Sequence, residues 1–198
     1  MYVFRIAEVG NRNGLYIKKS EGGTEENWMD MNYRKGTIAD LDIISQLFEA
    51  AKEDMDNKGI CQWDSIYPTR EDYLEDIAKG TLYVVWHKED LVGVYVISEE
   101  ADEAYQRCKW ENPEDTACIL HRFCVAPQYQ YQGLGKEMLQ YIEAQAREMS
   151  YESIRLDVFT QNPHALHLYD KSNYQERGYA DWRKGRFLLM EKKLHKCD

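Results

Sequence analysis

Residues 125–136 read Val125-Ala-Pro-Gln-Tyr-Gln-Tyr-Gln-Gly-Leu-Gly-Lys136, and the fold is decided by how that stretch is taken. The run before it, 119–125 (ILHRFCV), is rich in β-branched and aromatic residues and stops at Pro127, as a strand would. After it, Leu134, Met138, Leu139, Ile142, Ala146 and Met149 recur at helical spacing to about Ser150. A strand therefore passes through a tight turn at 130–135 and directly into a helix. Successive backbone N–H groups in such a turn converge, and the helix end adds about half a positive charge, so the segment is built for an anion. Gly133 and Gly135 allow close backbone approach and positive φ. No Gly-Lys-Ser/Thr follows, so this is not a nucleotide-triphosphate loop, and a third glycine for a dinucleotide fingerprint is missing. On its own the turn also suits an ordinary strand–helix connection.

Farther along, 153–159 (SIRLDVF) reads as the next strand, and Asn162-Pro-His-Ala165-Leu-His-Leu-Tyr169-Asp-Lys-Ser-Asn173-Tyr174 as a short helix over 163–171 and its exit. Asn162 falls where a strand ends, able to hydrogen-bond a ligand entering between splayed strands. Tyr169 lies two helical turns along the same face. Its phenol, with an ordinary pKa of about 10, can protonate a leaving thiolate of similar basicity. A core aromatic on a buried helix is the alternative role for Tyr169.

Upstream, Thr37-Ile-Ala-Asp40 and Thr69-Arg-Glu-Asp72 each resemble a capping box. The first opens a helix with Leu41, Ile44, Leu47, Phe48, Ala51 and Met55 on one face, and the second a helix ended by Gly80. Residues 81–87 and 91–98 form a hairpin about Lys88-Glu-Asp90; 99–115 is a long acidic connection, and 187–193 a last strand. Strands in series, then strand–helix–strand–helix–strand, make this an α+β fold with a mixed sheet.

Residues 31–198 are expected to form the domain and residues 1–30 an extension. Segment 10–27 is polar, Gly-rich and aperiodic, whereas Tyr2-Val-Phe-Arg-Ile6 alternates like a strand-forming arm. Glu25-Glu-Asn-Trp28-Met29 is also encodable as a purine-rich ribosome-binding sequence before a start codon, which leaves translation from Met29 or Met31 as the other reading.

The 198 residues carry 25 Lys and Arg against 35 Asp and Glu, a net charge of −10 that argues against a nucleic-acid partner. Hydrophobic content of 43% excludes a disordered chain. Five cysteines without CxxC spacing argue against a disulfide framework or zinc cluster, so no metal is expected and the thiols are taken as reduced. No apolar run approaches the roughly 20 residues of a membrane span. The expectation is a cytoplasmic protein with no membrane partner, monomeric or homodimeric.

The two motifs together resemble the GNAT N-acetyltransferase superfamily: Val125-Ala-Pro127, then Gln130 to Gly135, then Asn162, Ala165, Tyr169 and Asn173-Tyr174. Asn173 stands where that pattern carries glycine, a helix-ending position at which Asn tolerates left-handed geometry. The resemblance implies a mostly antiparallel central sheet flanked by helices and splayed at the cofactor strands. It implies an acyltransferase moving acetyl from acetyl-CoA directly to a primary amine of a small molecule or peptide. A protein N-terminal or lysine acetyltransferase and a non-catalytic acyl-CoA sensor are the alternatives. By this resemblance the amides of Gln130, Tyr131, Gln132, Gly133, Leu134 and Gly135, with Lys136, hold the pyrophosphate. The Phe123-Cys124-Val125 edge pairs with the pantetheine arm, the Val125 amide polarises the thioester oxygen, Asn162 contacts pantetheine, and Tyr169 is the catalytic acid.

The amine must shed a proton before it attacks. Glu99 and Glu100 after the hairpin and His121 on the central strand are candidate acceptors of that proton, each also readable as a structural residue. Trp63 and Tyr67, between the first two helices, are candidate walls of the acceptor pocket or simple packing aromatics. Arg122 suits a carboxylate acceptor or a surface ion pair. Cys124, mid-strand with no activating base in sequence, is read as packing rather than nucleophile.

Overall fold

The computed structural model describes residues 30–112 and 116–194. The expected extension and both alternative starts, apart from Asp30 and Met31, lie outside the described residues. Chain order is β1 (Met31–Lys35), α1 (Leu41–Asn57), α2 (Arg70–Lys79), β2 (Leu82–His87), β3 (Asp90–Ser98), β4 (Ala117–Val125), α3 (Leu134–Glu148), β5 (Ser153–Phe159), α4 (Pro163–Lys171), β6 (Gln175–Trp182) and β7 (Gly185–Lys193). They form one seven-stranded sheet in the order β1-β2-β3-β4-β5-β7-β6, in which β4 and β5 alone run parallel.

Local chemistry sets the boundaries. The Thr37 amide donates to Asp40 Oδ2 at 2.8 Å and the Thr69 amide to Asp72 Oδ2 at 2.7 Å, fixing the starts of the first two helical segments. Asp40 is also gripped by both terminal nitrogens of Arg34, at 2.8 and 2.6 Å, which holds its carboxyl at about 2. Gly80 ends α2 at φ 69°, and Asn173 follows α4 at φ 65°, the left-handed conformation expected there. The strand β6 carries no apolar period in sequence because it is the sheet edge, exposed along much of its length, and is specified by its hairpin with β7.

Helices cover both faces. Ile44, Phe48 and Tyr73 of α1 and α2 pack on Leu82, Val84, Val94 and Val96, while Leu134, Met138 and Ile142 of α3 pack with Tyr169 of α4 on Tyr95, Leu120 and Leu156. A β-bulge in β4 exchanges these faces midway: Val94 pairs with Cys124 and Val96 with His121, so Arg122 and Phe123 together oppose Tyr95. Arg122 sits at φ 49°. Before the bulge Cys118 and Leu120 face α3; after it Cys124 faces α1. Gly93 makes room for this crossing, since a Cβ there would lie 2.4 Å from Met138 Cε and 3.0 Å from the Cys124 carbonyl. Among the described residues no helix is long and apolar enough to cross a membrane.

Candidate active site

Strands β4 and β5 pair only from Ala117–Leu120 to Ser153–Leu156 and then part, so residues 121–125 keep β3 on one side and present a free edge on the other. The Ala126 amide bonds back to the Val92 carbonyl at 2.9 Å; that of Val125, one residue earlier, points to the free edge. The Val125 carbonyl, on the same side, accepts Gln130 Nε2 at 3.0 Å. Phe123 is half-buried beside this edge and Cys124 is buried, its thiol pushed to about 12 by burial. Such a thiol is protonated at neutral pH, consistent with the packing role.

At the mouth of the cleft, one turn of 3₁₀ helix (Pro127–Tyr129) leads into Tyr131 at φ 62° and Gly133 at φ 82°. Gly133 is the N-cap of α3, and no side chain caps that end. A Cβ on Gly133 would meet nothing within 4 Å, so its outer face is open, whereas one on Gly135 would touch Val125 and Leu168 at 3.7 Å. The turn is braced from outside: Tyr131 lies under Lys58 Nζ (4.9 Å from its centroid) with its hydroxyl 3.3 Å from His164 Nε2, and Gln132 Nε2 donates to the Gln128 carbonyl at 2.9 Å. Leu134 anchors the helix in the core and Lys136 is exposed one turn inside it. Asn162 caps α4 by accepting from the Ala165 amide at 3.1 Å, and its Nδ2 donates to Gln62 Oε1 at 2.9 Å. Its side chain thus ties the helix start to the α1–α2 connection.

Beyond the free edge opens a cavity of about 460 Å³. Trp63, Tyr67, Glu100, His121, Phe123 and Tyr169, dispersed over a hundred residues of sequence, all line it. Trp63 is both wall and core, its ring 5.3 Å from Phe48. Tyr67 receives the Arg122 guanidinium at 5.3 Å from its ring, and Arg122 itself is held by Asp76, Nη1 to Oδ2 at 2.9 Å. Tyr169 is 6% exposed, and burial with the facing Asp157 carboxylate raises its pKa above the ordinary tyrosine range. It is both a core aromatic and a cavity wall.

The candidate proton acceptors separate by environment. Glu99 accepts from Tyr151 at 2.8 Å and is not in the cavity wall. Glu100 is engaged by Lys79 at 2.8 Å, which lowers its pKa. His121 Nε2 donates to the Glu100 carbonyl at 3.0 Å, and burial next to Arg122 pulls the ring down to about 4, so it is neutral at pH 7 and a weak acceptor of a second proton. The better-placed group is one that sequence reasoning passed over. Asp157, on β5 where it leaves β4, lines the cavity and accepts from Tyr105 Oη at 3.1 Å; among the described residues it forms no ion pair. Burial raises it to about 6. In SIRLDVF it is one polar residue of an alternating strand, and only the divergence of β4 and β5 makes its position special.

Carboxylates of Glu75, Asp76, Glu100, Asp102 and Asp157 line this one space. Asp64, in the α1–α2 connection, closes one side by binding both Arg183 (2.7 and 3.0 Å) and Lys184 (3.3 Å) of the β6–β7 turn.

The sequence profile of the acetyltransferase (GNAT) family matches residues 43–174. The uncharacterized N-acetyltransferase YesJ of Bacillus subtilis is 28% identical over 143 residues, 71% of this chain and 76% of that protein. The spermine/spermidine N(1)-acetyltransferase of the same organism is 30% identical over 110 residues, 54% of this chain and 67% of that protein. A crystal structure of a GNAT-family acetyltransferase from Streptococcus agalactiae superposes with a TM-score of 0.76 over 86% of this chain and 99% of that one, at 24% identity, and so shares the fold. With its splayed parallel pair, its strand-to-helix turn and a family match across two thirds of its length, the chain belongs to the acetyltransferase (GNAT) family and is an N-acetyltransferase.

Proposed function

We propose that this enzyme transfers acetyl from acetyl-CoA to a primary amine of a small, multiply charged amine. The observation that carries the reading is the meeting of Asp157 and Tyr169, a base and an acid, in one cavity beside the free edge of β4. The donor, when bound, supplies an acetyl thioester. The uncapped α3 start and the turn at 130–135 fit its pyrophosphate, and the exposed Lys136 in the first turn of α3 adds positive charge at that end. The outward Val125 amide fits the thioester oxygen as an oxyanion donor.

Asp157 receives the proton of the incoming ammonium, whose nitrogen then attacks the thioester carbon. As the carbon–sulfur bond breaks, Tyr169 gives its proton to the departing sulfur, and the second proton shed by the new amide nitrogen restores the phenol. The two steps assist one another: burial is the main influence that raises Tyr169 and the Asp157 charge the lesser one, so neutralising Asp157 makes the phenol a somewhat better acid as the amine becomes a nucleophile. Asp157 at about 6 is ionised at neutral pH yet close enough to it to serve as a base.

One observation favours a small cationic amine: with Glu75 and Glu100 paired to Lys79 and Asp76 paired to Arg122, Asp102 and Asp157 remain as cavity carboxylates without an ion pair among the described residues. The relative that acetylates spermine and spermidine accords with this choice. Acetyl-CoA binding by calorimetry, followed by thiol release across a panel of diamines, polyamines, neutral amines and peptides, tests it. Turnover is expected to be fastest on the polyamines. Preference for peptides would overturn the acceptor assignment, and binding without thiol release on any amine would make the protein a sensor.

A further inference from the structure

The 99–116 connection is longer than a β3–β4 link requires, and it brings Glu100, Asp102 and Tyr105 to the cavity wall. Its described part is built. Asp102 Oδ1 accepts from the Ala104 amide at 2.8 Å and starts a 3₁₀ turn over Glu103–Arg107. Trp110 Nε1 donates to the Tyr105 carbonyl at 2.8 Å, with the two rings 5.4 Å apart. The buried Arg155 of β5 lies 4.4 Å from the Trp110 ring and donates through Nη2 to the Asn112 carbonyl at 2.8 Å. These contacts press Tyr105, 3% exposed, onto Ile119, Ala180 and Leu189. Leu189 is the β7 partner of Asp157 in the sheet register. The ring therefore stands over the strand pair carrying Asp157, and its hydroxyl reaches that carboxylate at 3.1 Å.

We infer that Tyr105 is a positioning residue: its phenol holds the Asp157 carboxylate toward the acceptor and sets the pH at which that carboxylate takes up a proton. The inference rests on Asp157 being the base. The phenol is a constant donor, since burial and the facing carboxylate keep its own ionisation far above neutral pH. An O–H donating to an ionised carboxylate stabilises the ionised form, so its loss raises the carboxylate's pKa. The other charged or titratable groups facing Asp157 do not substitute for it. Arg122 from β4 favours ionisation but is committed to Asp76; Asp102 from the same connection disfavours it; Tyr67 and Tyr169 line the cavity, and no hydrogen bond joins either to Asp157.

The test is Tyr105→Phe, which keeps the ring and its packing. Two readouts on wild type and variant suffice: the carboxyl carbon-13 titration of Asp157 by NMR in the free enzyme, and kcat/KM against pH with a diamine acceptor. The titration is expected to move up by about one pH unit, and the acid limb of kcat/KM with it, leaving the variant about fivefold slower at pH 6 and equal to wild type near pH 9. A titration that stays in place, or a loss of activity equal at every pH, would overturn the inference and leave Asp157 as base untouched. A titration that moves while the rate profile does not would overturn the base assignment itself, and with it the part of Tyr105 in catalysis.

Discussion

In the proposed reading, the donor side and the acceptor side of the site are made of different material. The donor side is main chain: the outward Val125 amide, the 130–135 turn with Tyr131 and Gly133 at positive φ, and the uncapped start of α3, all within a dozen consecutive residues. The acceptor side is side chain: Asp157 from β5, Tyr169 from α4, His121 from β4, Trp63 and Tyr67 from the α1–α2 connection and Tyr105 from the β3–β4 connection. Backbone amides bind an anion without a charged residue, so on this reading an acidic protein holds a polyanionic donor at one end of the cleft while carboxylates at the other end receive a cation. Substitutions on the two sides should therefore fail in different ways.

The largest effect is expected from Asp157→Asn, which removes the proton acceptor and should lower kcat/KM at pH 7 by roughly 10²–10³-fold. Steady-state kinetics with saturating donor would show it, while calorimetry shows donor affinity unchanged. Next, Tyr169→Phe should lower kcat about 10²-fold with the donor Kd again intact, because the phenol acts only as sulfur departs. A variant that bound the donor poorly would place Tyr169 on the other side of the comparison. Gly133→Glu attacks that side: a side chain at φ 82° is strained, and its carboxylate takes up the positive helix end and repels the phosphates, so the donor Kd should rise at least about tenfold. The KM for amine, measured at saturating donor, should stay as it is. The smallest effect belongs to Asp64→Asn, which frees Arg183 and Lys184 beside the cavity. It should raise KM for polyamines about two- to fivefold while leaving a neutral amine unaffected; an equal rise for both would show a general loosening of the wall instead.

The same division explains what could be read from the sequence. The proposed donor half is contiguous, so Val125-Ala-Pro127 and Gln130 to Gly135 announce the strand end and the tight turn into α3, and the capping boxes at Thr37 and Thr69 give the helix starts. The acceptor half is assembled by topology. Trp63, Tyr67, Glu100 and His121 are legible as candidates because of their type, but only the fold shows that they share one cavity and that burial beside Arg122 removes His121 as a base. Asp157 gains its role from the point at which β4 leaves β5, and Tyr105 from a connection whose composition looks merely acidic. The bulge at Arg122 and Phe123 is equally silent in ILHRFCV, since no glycine marks it, yet it changes which face every later residue of β4 presents.

If a carboxylate on β5 takes the amine's proton where donor and acceptor meet, kcat/KM against pH with one diamine should differ in form between wild type and Asp157→Asn. Wild type should lose activity on the acid side with a midpoint at about 6. The variant should lack that limb and climb steadily with pH as the free amine becomes available. An acid limb of the same midpoint in both proteins would contradict the account.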